Sequence, residues 1–278
     1  RPIELLAPAK NLECGIAAID HGADAVYIGA PRFGARASAG NSVNDIRTLA
    51  DYAHFYHARV YVTVNTILRD EELAETEQMI WQLYEAGVDA LIVQDMAITR
   101  MNLPPIALHA STQMSLHTLG GAKTAAQLGM ERVVLSRELS KGEIAEICRQ
   151  CPAEIETFIH GALCMCYSGQ CTMSALIGQR SGNRGACAQP CRLPYGVNKS
   201  CRGEHPLSLK DANLAAYAVE MEEMGVDCLK LEGRMKRPEY VAVITYIYRK
   251  ILDERRGPTV EESAALEQAF SRSGFTQG

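Results

Sequence analysis

The stretch GADAVYIG at residues 22–29 decides the fold, because the same pattern returns three more times along the chain. It recurs as GVDALIVQ at 87–94, GMERVVLS at 129–136 and GVDCLKLE at 225–232. Each copy follows an amphipathic, helix-like stretch and begins with glycine, the residue that most often ends a helix in a left-handed conformation. The apolar run after it is typical of a strand buried on both faces. Each copy therefore predicts the helix-to-strand junction of a repeated βα unit.

The intervals between these junctions complete a set of eight strands separated by helical patterns. The predicted strands lie near 3–7, 24–29, 60–65, 90–95, 106–111, 132–136, 155–160 and 228–233. Helices are predicted near 11–21, 43–57, 70–86, 115–128, 140–150, 211–224 and 238–256. This alternation predicts an α/β fold, a (β/α)8 TIM-barrel-like domain over residues 1–256. The alternative is an open doubly wound sheet, which usually has a glycine-rich turn after strand one, where this chain reads APAKN.

The ends of the domain and its longest loop are also predicted. The interval between strands seven and eight is long and holds a cysteine-rich loop at 161–203, and a loop of that length inside a compact domain is usually functional. Residues 257–278 are expected to begin a linker to a further C-terminal part. No apolar run reaches the ~20 residues that a membrane-spanning helix needs, so no membrane partner is expected.

Charge and cysteine content narrow the class of protein. The chain of 278 residues has a formal net charge of −5, which argues against a non-specific nucleic-acid coat. Its ten cysteines, with no visible export signal, indicate a reducing compartment and use of thiols in metal or redox chemistry. We therefore expect a cytoplasmic protein.

Four clustered thiols are the strongest chemical signal. They have the spacing C-x6-C-x15-C-x3-C and are Cys164, Cys171, Cys187 and Cys191, with Cys166 as a fifth thiol nearby. The spacing lacks the C-x2-C knuckles common in zinc sites and favours an iron–sulfur cluster, with zinc as the alternative. A nucleophilic pair of Cys164 or Cys166 with His160 is a third interpretation, but it leaves most of the thiols unused.

Barrel topology selects further candidates, because the carboxyl ends of the strands meet at the mouth where active sites lie. For each candidate below, the alternative is a purely structural role, as a polar side chain whose hydrogen bonds are made within the fold. The candidates for a substrate pocket, by predicted position at this rim, are His109, Gln113, His160, Glu232, Arg234, Asn65 and Asp95. Three basic residues near the cysteines are candidate contacts to a phosphate or carboxylate: Arg180, Arg184 and Arg192.

Several motifs together resemble the collagenase-like peptidase family, whose catalytic type is unknown. The cysteine motifs HGALCMCYSGQC (160–171) and NRGACAQPCRLPY (183–195) carry the resemblance most specifically, with ELLAPA (4–9), LHASTQ (108–113) and KLEGRMKRPEYV (230–241) in support. The resemblance implies an iron–sulfur protein that supports oxygen insertion into RNA bases. It also implies that Cys164, Cys171, Cys187 and Cys191 hold a [4Fe–4S] cluster, and that Cys166 does not.

The resemblance further implies a reaction. The expected activity is hydroxylation of a cytidine of large-subunit ribosomal RNA to 5-hydroxycytidine, with the ribosomal RNA or its precursor as partner. A small carboxylate, prephenate, is an expected co-substrate. The alternatives are hydroxylation of a tRNA uridine by the same chemistry, or a collagenase-like peptidase. Neither an HExxH zinc motif nor a serine triad is recognisable in the sequence.

Overall fold

The chain forms a closed barrel of eight parallel strands with helices outside it, as the repeat predicts. The computed structural model describes residues 2–35, 40–196 and 204–277. The barrel strands are β1 (Glu4–Ala9), β2 (Ala25–Gly29), β3 (Arg59–Val64), β4 (Ala90–Val93), β5 (Ala107–Ala110), β6 (Arg132–Val134), β7 (Glu154–Ala162) and β9 (Cys228–Leu231). Consecutive strands pair in order, and β9 pairs with both β7 and β1, which closes the barrel.

The helices pack around this barrel. They are α1 (Leu12–Asp20), α2 (Val43–Phe55), α3 (Leu73–Glu85), α4 (Leu119–Gln127), α5 (Lys141–Gln150), α6 (Met173–Gly178), α7 (Ala218–Glu223), α8 (Pro238–Glu254) and α9 (Val260–Ala269). Ser140 and Glu143 form the capping box of α5, and Pro238 opens α8. Within the described residues no helix combines the length and the apolar character needed to cross a membrane.

The repeated glycines end helices as predicted, and the acid two residues later makes a further contact. Gly22, Gly87, Gly129 and Gly225 have φ angles of 94°, 88°, 91° and 96°, in the left-handed region. In three copies the following aspartate accepts a hydrogen bond from a backbone N–H of the preceding neighbour strand. The pairs are Asp24 with Leu5 at 2.7 Å, Asp89 with Val60 at 2.7 Å and Asp227 with Ile155 at 2.8 Å. Three of the four junctions thus tie a new strand to its neighbour through a carboxylate.

Ionic side chains occupy the lower interior of the barrel. Arg132, only 1% exposed, donates to Glu4 and to Glu154 at 2.6 Å each, and Lys230 donates to Glu156 at 2.6 Å. Burial opposes ionisation of Glu4, but hydrogen bonding and the charge of Arg132 prevail and lower the pKa of that carboxyl. These pairs connect β1, β6, β7 and β9 across the interior, where many barrels have only apolar layers.

One predicted segment differs from the structure, and another stays untested. The predicted helix 211–224 is wrong at its start, because Asp211–Asn213 form a short strand, β8, antiparallel to the end of β7. The regular helix α7 begins only at Ala218. In residues 257–278, α9 packs on α8 through the fully buried Leu266, and β10 (Phe275–Thr276) pairs with β8. The predicted domain boundary before this segment stays a prediction.

The junction glycines can be tested at a position where only backbone conformation matters. A Cβ at Gly129 would meet no atom within 4 Å, so Gly129→Ala adds only the strain of a left-handed alanine. We expect this variant to lose about 1–2 kcal/mol of unfolding free energy, measured by urea denaturation. The control is Gly142→Ala in α5, which has equal space and helical conformation and should gain up to about 1 kcal/mol. Equal effects of the two substitutions would contradict the role of the junction.

Candidate functional site

A small cavity lies at the carboxyl end of the barrel, beneath the segment that carries the cysteines. We call residues 163–196 the cysteine segment and this space, of about 120 Å³, the inner cavity. Polar barrel residues that line it include Asn65, Ser111, Gln113, Lys230, Glu232 and Arg234. Cys164, Cys171 and Cys187 line it from above. Sequence-predicted rim residues and thiols therefore meet at one place.

Glycine lets the cysteine segment sit directly on the mouth. Gly169 has a φ of 77°, and a Cβ there would come within 2.1 Å of the Gln113 carbonyl oxygen. Any other residue would push the segment away from the barrel. Nearby, Ser168 donates through its N–H and its hydroxyl to Glu138, at 2.9 and 3.1 Å. The thiols are thereby held close to the inner cavity.

Cations stacked on aromatic rings form one wall of the inner cavity. The Arg137 guanidinium lies 3.8 Å from the Phe158 ring centroid and donates to Glu232 at 2.8 Å. Lys230 lies 4.2 Å from the Tyr27 ring centroid. Arg234 is buried and donates to the Thr63 hydroxyl. Cation–π contacts of this kind help to hold the cationic groups in place, and Arg137 and Lys230 are in addition paired with Glu232 and Glu156.

Two polar atoms of this cavity have no hydrogen-bond partner among the residues that the structure describes. They are Nε of Arg137 and the hydroxyl oxygen of Thr112, both buried. Buried donors are normally satisfied, so an orphaned guanidinium nitrogen in a cavity wall indicates a place for an acceptor. The arrangement suits a small anion with oxygen atoms, such as a carboxylate.

A larger cavity of about 490 Å³ lies on the other side of the cysteine segment. This outer cavity is lined by all four clustered cysteines and by Cys166. Its opposite wall comes from the start of α8 and from the chain after α9, including Lys236, Tyr240, Phe270 and Arg272. Because Cys164, Cys171 and Cys187 also line the inner cavity, the thiols stand between the two spaces.

The thiols interact with one another electrostatically. Burial raises the pKa of Cys191, and the neighbouring thiols Cys164, Cys187 and Cys171 raise it further against the effect of Arg192. The pKa of Cys166 is also raised, first by burial and then by Cys171, to which it is hydrogen-bonded. In the described part of the chain, no three His, Cys, Asp or Glu side chains are placed to hold a single metal ion. Cys201 lies outside the described residues.

The donor set suits an iron–sulfur cluster better than one zinc ion. A tetrahedral zinc site needs four donors at about 2.0–2.3 Å from one point. A cubane cluster presents four separate irons, so its thiolates surround a larger volume. Four thiols that line one cavity match the second requirement in their chemistry. The cofactor itself stays a prediction.

His160 points away from both cavities, contrary to its predicted place at the rim. β7 contains a bulge between Phe158 and His160, so His160 pairs with the outward-facing Leu231. Its ring is buried against Tyr248, whose hydroxyl lies 3.2 Å from Nδ1, and burial lowers its pKa to about 4. The side chain therefore does not meet a thiol, and the suggested Cys–His pair is not formed.

His109 is also away from the mouth. It stands beside Arg132, the first residue of β6, and its ring packs edge-on against Tyr61 at 4.8 Å between centroids. Burial lowers its pKa, and the charge of Arg132 lowers it further. This neutral imidazole lies in the lower interior of the barrel and lines neither of the two cavities. Alternation along β5 predicts an inward side chain correctly but gives no depth along the barrel.

The remaining predicted residues serve the local framework. Asn65 accepts from Ala35 N–H and donates to Ser111, both at 2.9 Å. Asp95 accepts from the N–H groups of Leu68 and Ala97 at 2.8 and 2.9 Å. Asn65 reaches the inner cavity, whereas Asp95 lines neither cavity.

The three candidate arginines contact the protein itself. Arg184 makes a double ion pair with Glu72 at 2.6 Å, which holds the pKa of that carboxyl near 2. Arg192 donates to the carbonyls of Leu163 and Leu209, and Arg180 donates to that of Ala186. These bonds anchor the cysteine segment, and contact with a substrate stays a prediction for all three.

Sequence reasoning missed the aromatic platforms of the site. Tyr27 and Phe158 each lie in a strand run that reads as ordinary apolar core, GADAVYIG and ETFIHG. Only the cations that stack on them, Arg137 and Lys230, reveal that these two rings support the cavity wall. Thr112 was also missed, because a threonine after a strand is common in loops.

Comparison with known proteins gives the chain clear relatives. It is 47% identical over 277 residues to the "23S rRNA 5-hydroxycytidine C2501 synthase" of Escherichia coli (strain K12), covering 96% of this chain and 42% of that protein. It is 40% identical to "tRNA hydroxylation protein P1" of Bacillus subtilis (strain 168), covering 90% and 63%. The "Collagenase" of Porphyromonas gingivalis (strain ATCC BAA-308 / W83) is 32% identical, with 99% and 72% covered. The chain thus spans less than two thirds of the first two relatives.

The family assignment rests on sequence and agrees with the fold. The solved structure of the U32 peptidase Mk0906 superimposes with a TM-score of 0.54 at 12% identity, covering 85% of this chain and 94% of that one. This likeness concerns the fold alone. The sequence profile named Peptidase family U32 matches residues 10–278. The chain belongs to peptidase family U32.

Proposed function

We propose that this chain is the cofactor-bearing part of an enzyme that hydroxylates a cytidine of large-subunit ribosomal RNA to 5-hydroxycytidine in the cytoplasm. The observation that carries the proposal is the position of the thiols between two cavities of different size and character. The similarity to the Escherichia coli rRNA enzyme at 47% identity supports the choice of reaction.

In this proposal Cys164, Cys171, Cys187 and Cys191 hold a [4Fe–4S] cluster. A cluster bound there would supply one-electron transfer beside both cavities. The chain's own contribution is to fix the thiols, through Gly169 on the Gln113 carbonyl and through the anchoring arginines. Cluster ligands bind as thiolates, so the four thiols would release their protons when the cluster is bound.

The inner cavity is proposed to take the small carboxylate co-substrate, for which prephenate is the candidate. Its volume of about 120 Å³ suits one carboxylate-bearing end of this molecule, and the rest would extend through the open side of the cavity. Arg137 can direct its unpaired Nε to a carboxylate, and Lys230 and Arg234 add positive charge nearby. Binding there would exclude water from the space beside the thiols.

Two other activities remain as alternatives with different support. Hydroxylation of a tRNA uridine would use the same site, and the Bacillus subtilis relative favours it as the second candidate. A collagenase-like peptidase would need an activated nucleophile. The orientation of His160 toward Tyr248 removes the base that sequence reasoning offered to Cys164 or Cys166.

The reaction can be tested in cells together with the cofactor. We expect deletion of the gene to remove a cytidine species with one extra oxygen from ribosomal RNA, as measured by mass spectrometry of nucleosides. Full-length Cys171→Ser protein should lose most of its iron and fail to restore the species, because a cluster ligand is gone. Cys148→Ser is the matched control, because this half-buried thiol in α5 lies apart from both cavities.

Each outcome of this experiment separates the candidates. An unchanged cytidine pattern with a lost oxidised uridine in tRNA would move the assignment to the second candidate. Normal iron content and activity of Cys171→Ser would refute this thiol as a ligand. Cleavage of denatured collagen by iron-free protein would instead favour the peptidase.

The inner cavity gives a separate prediction about the co-substrate. In the full-length enzyme, Arg137→Gln should raise the half-saturating concentration of prephenate about tenfold to a hundredfold, since a hydrogen bond to a charged group is worth about 1.5–3 kcal/mol. Arg137→Lys should recover part of the loss, and the iron content of both variants should match that of the parent protein. An unchanged half-saturating concentration would show that prephenate does not contact Arg137.

A further inference from the structure

The outer cavity has the size and composition of a nucleotide pocket. Its volume of about 490 Å³ falls in the range typical of ligand pockets, whereas the inner cavity cannot take a base with its sugar and phosphate. Apolar side chains line it beside the thiols, among them Met165, Met173, Leu176 and Phe270. A nucleobase presents flat apolar faces, and such a wall suits them.

The charge of this cavity is positive although the whole chain is acidic. Five cationic and two acidic side chains line it, for a formal charge of +3. The acids already have cationic partners, because Glu232 accepts from Arg137 and Asp211 pairs with Arg272. The wall with Lys236 and Arg272, away from the thiols that would hold a negatively charged cluster, is therefore the part of this cavity suited to an anionic group.

Lys236 is a cation of this cavity whose ammonium has no carboxylate within ion-pair distance among the described residues. Its ammonium lies over the Phe270 ring, 2.6 Å from the centroid, and the guanidinium of Arg272 lies 5.2 Å from the same centroid. Over the ranges 2–35, 40–196 and 204–277, the Lys236 ammonium forms no ion pair and donates no hydrogen bond. Burial lowers the pKa of Lys236 to about 8, and the charge of Arg272 contributes. A bound anion would relieve both effects.

We propose that the outer cavity receives the target nucleotide of the RNA, and that Lys236, with Arg272 beside it, binds the phosphate next to the target base. This inference rests on the proposed function and adds the position and orientation of the RNA. Arg272 is held in place by Asp211, so Lys236 provides the adjustable contact. With the phosphate at Lys236, the base extends across the cavity toward the cysteine segment. Phosphate contacts of this kind position a substrate without reading its sequence.

The test uses the full-length protein and an unmodified transcript of the large-subunit rRNA fragment that contains the target cytidine. We expect Lys236→Gln to weaken binding of this transcript about threefold to tenfold and to reduce the salt dependence of log K by about 0.7–0.9, as for one lost phosphate contact. Hydroxylation at sub-saturating RNA should fall by the same factor. Lys236→Arg should restore most of both. Lys123→Gln is the matched control, because this half-buried lysine of α4 donates a hydrogen bond to Gln150 and lies outside both cavities.

Protection of the lysine in the parent protein gives a second measurement that needs no variant. Acetylation of Lys236 by an amine reagent, followed by peptide mass spectrometry, should decrease several-fold when the transcript is present, while Lys123 stays equally reactive. The inference would be overturned if Lys236→Gln bound the transcript with the affinity and salt dependence of the parent protein, and if the transcript left the acetylation of Lys236 in the parent protein unchanged. If the parent enzyme still hydroxylates the transcript normally, the proposed function holds and only the placement of the phosphate at Lys236 is refuted. Protection by a collagen peptide but not by RNA would overturn both.

Discussion

The hydrogen bond between each junction aspartate and the neighbouring strand is the constraint on which the rest of the structure depends. A left-handed glycine ends the helix. Two residues later, the carboxylate of Asp24, Asp89 or Asp227 accepts a hydrogen bond from a backbone N–H at the start of the adjacent strand. This contact fixes where each strand starts relative to its neighbour. Since the eight barrel strands are parallel, fixing their starts also fixes their carboxyl ends at one face, and the site is built there.

The ionic interior connects this framework to the site. Arg132 joins Glu4 and Glu154 at the lower end of the barrel, and Glu156 links that group to Lys230. Lys230 in turn lies against the rings of Tyr27 and Phe158, which line the inner cavity. Breaking one member of such a buried network leaves an uncompensated charge, so the positions of these side chains are strongly coupled. The cationic side chains of the inner cavity are therefore held both by the ion pairs deeper in the barrel and by their contacts with the aromatic rings.

The sequence predicts this fold well because its signals are local. Glycine, acid and apolar run lie within eight residues, and the eight barrel strands follow from that pattern, as does the convergence of thiols and rim residues. How deep a side chain lies in the barrel, and whether it points inward or outward, depend on pairing with other strands and not on the local sequence. His160 faces outward because one extra residue in β7 shifts its pairing against β9, and an alternation of residue types does not reveal a bulge. His109 lies low because its level depends on the register with β6, which the sequence of β5 does not contain. Asp211–Asn213 form a strand by pairing with the end of β7, a long-range contact that the local sequence does not contain.

The division of the mouth into two cavities follows from how the cysteine segment is anchored. Gly169 rests on the Gln113 carbonyl, and Arg184 holds the segment to Glu72 on the far side of the mouth. The segment therefore spans the barrel opening and separates a small enclosed space from a larger one. The ion pair of Arg137 and Glu232 belongs to both, since each residue lines the inner and the outer cavity. Arg137 donates to Glu232 through a terminal nitrogen, whereas its Nε has no partner, so one guanidinium can hold the ion pair and bind a further oxygen ligand through different atoms.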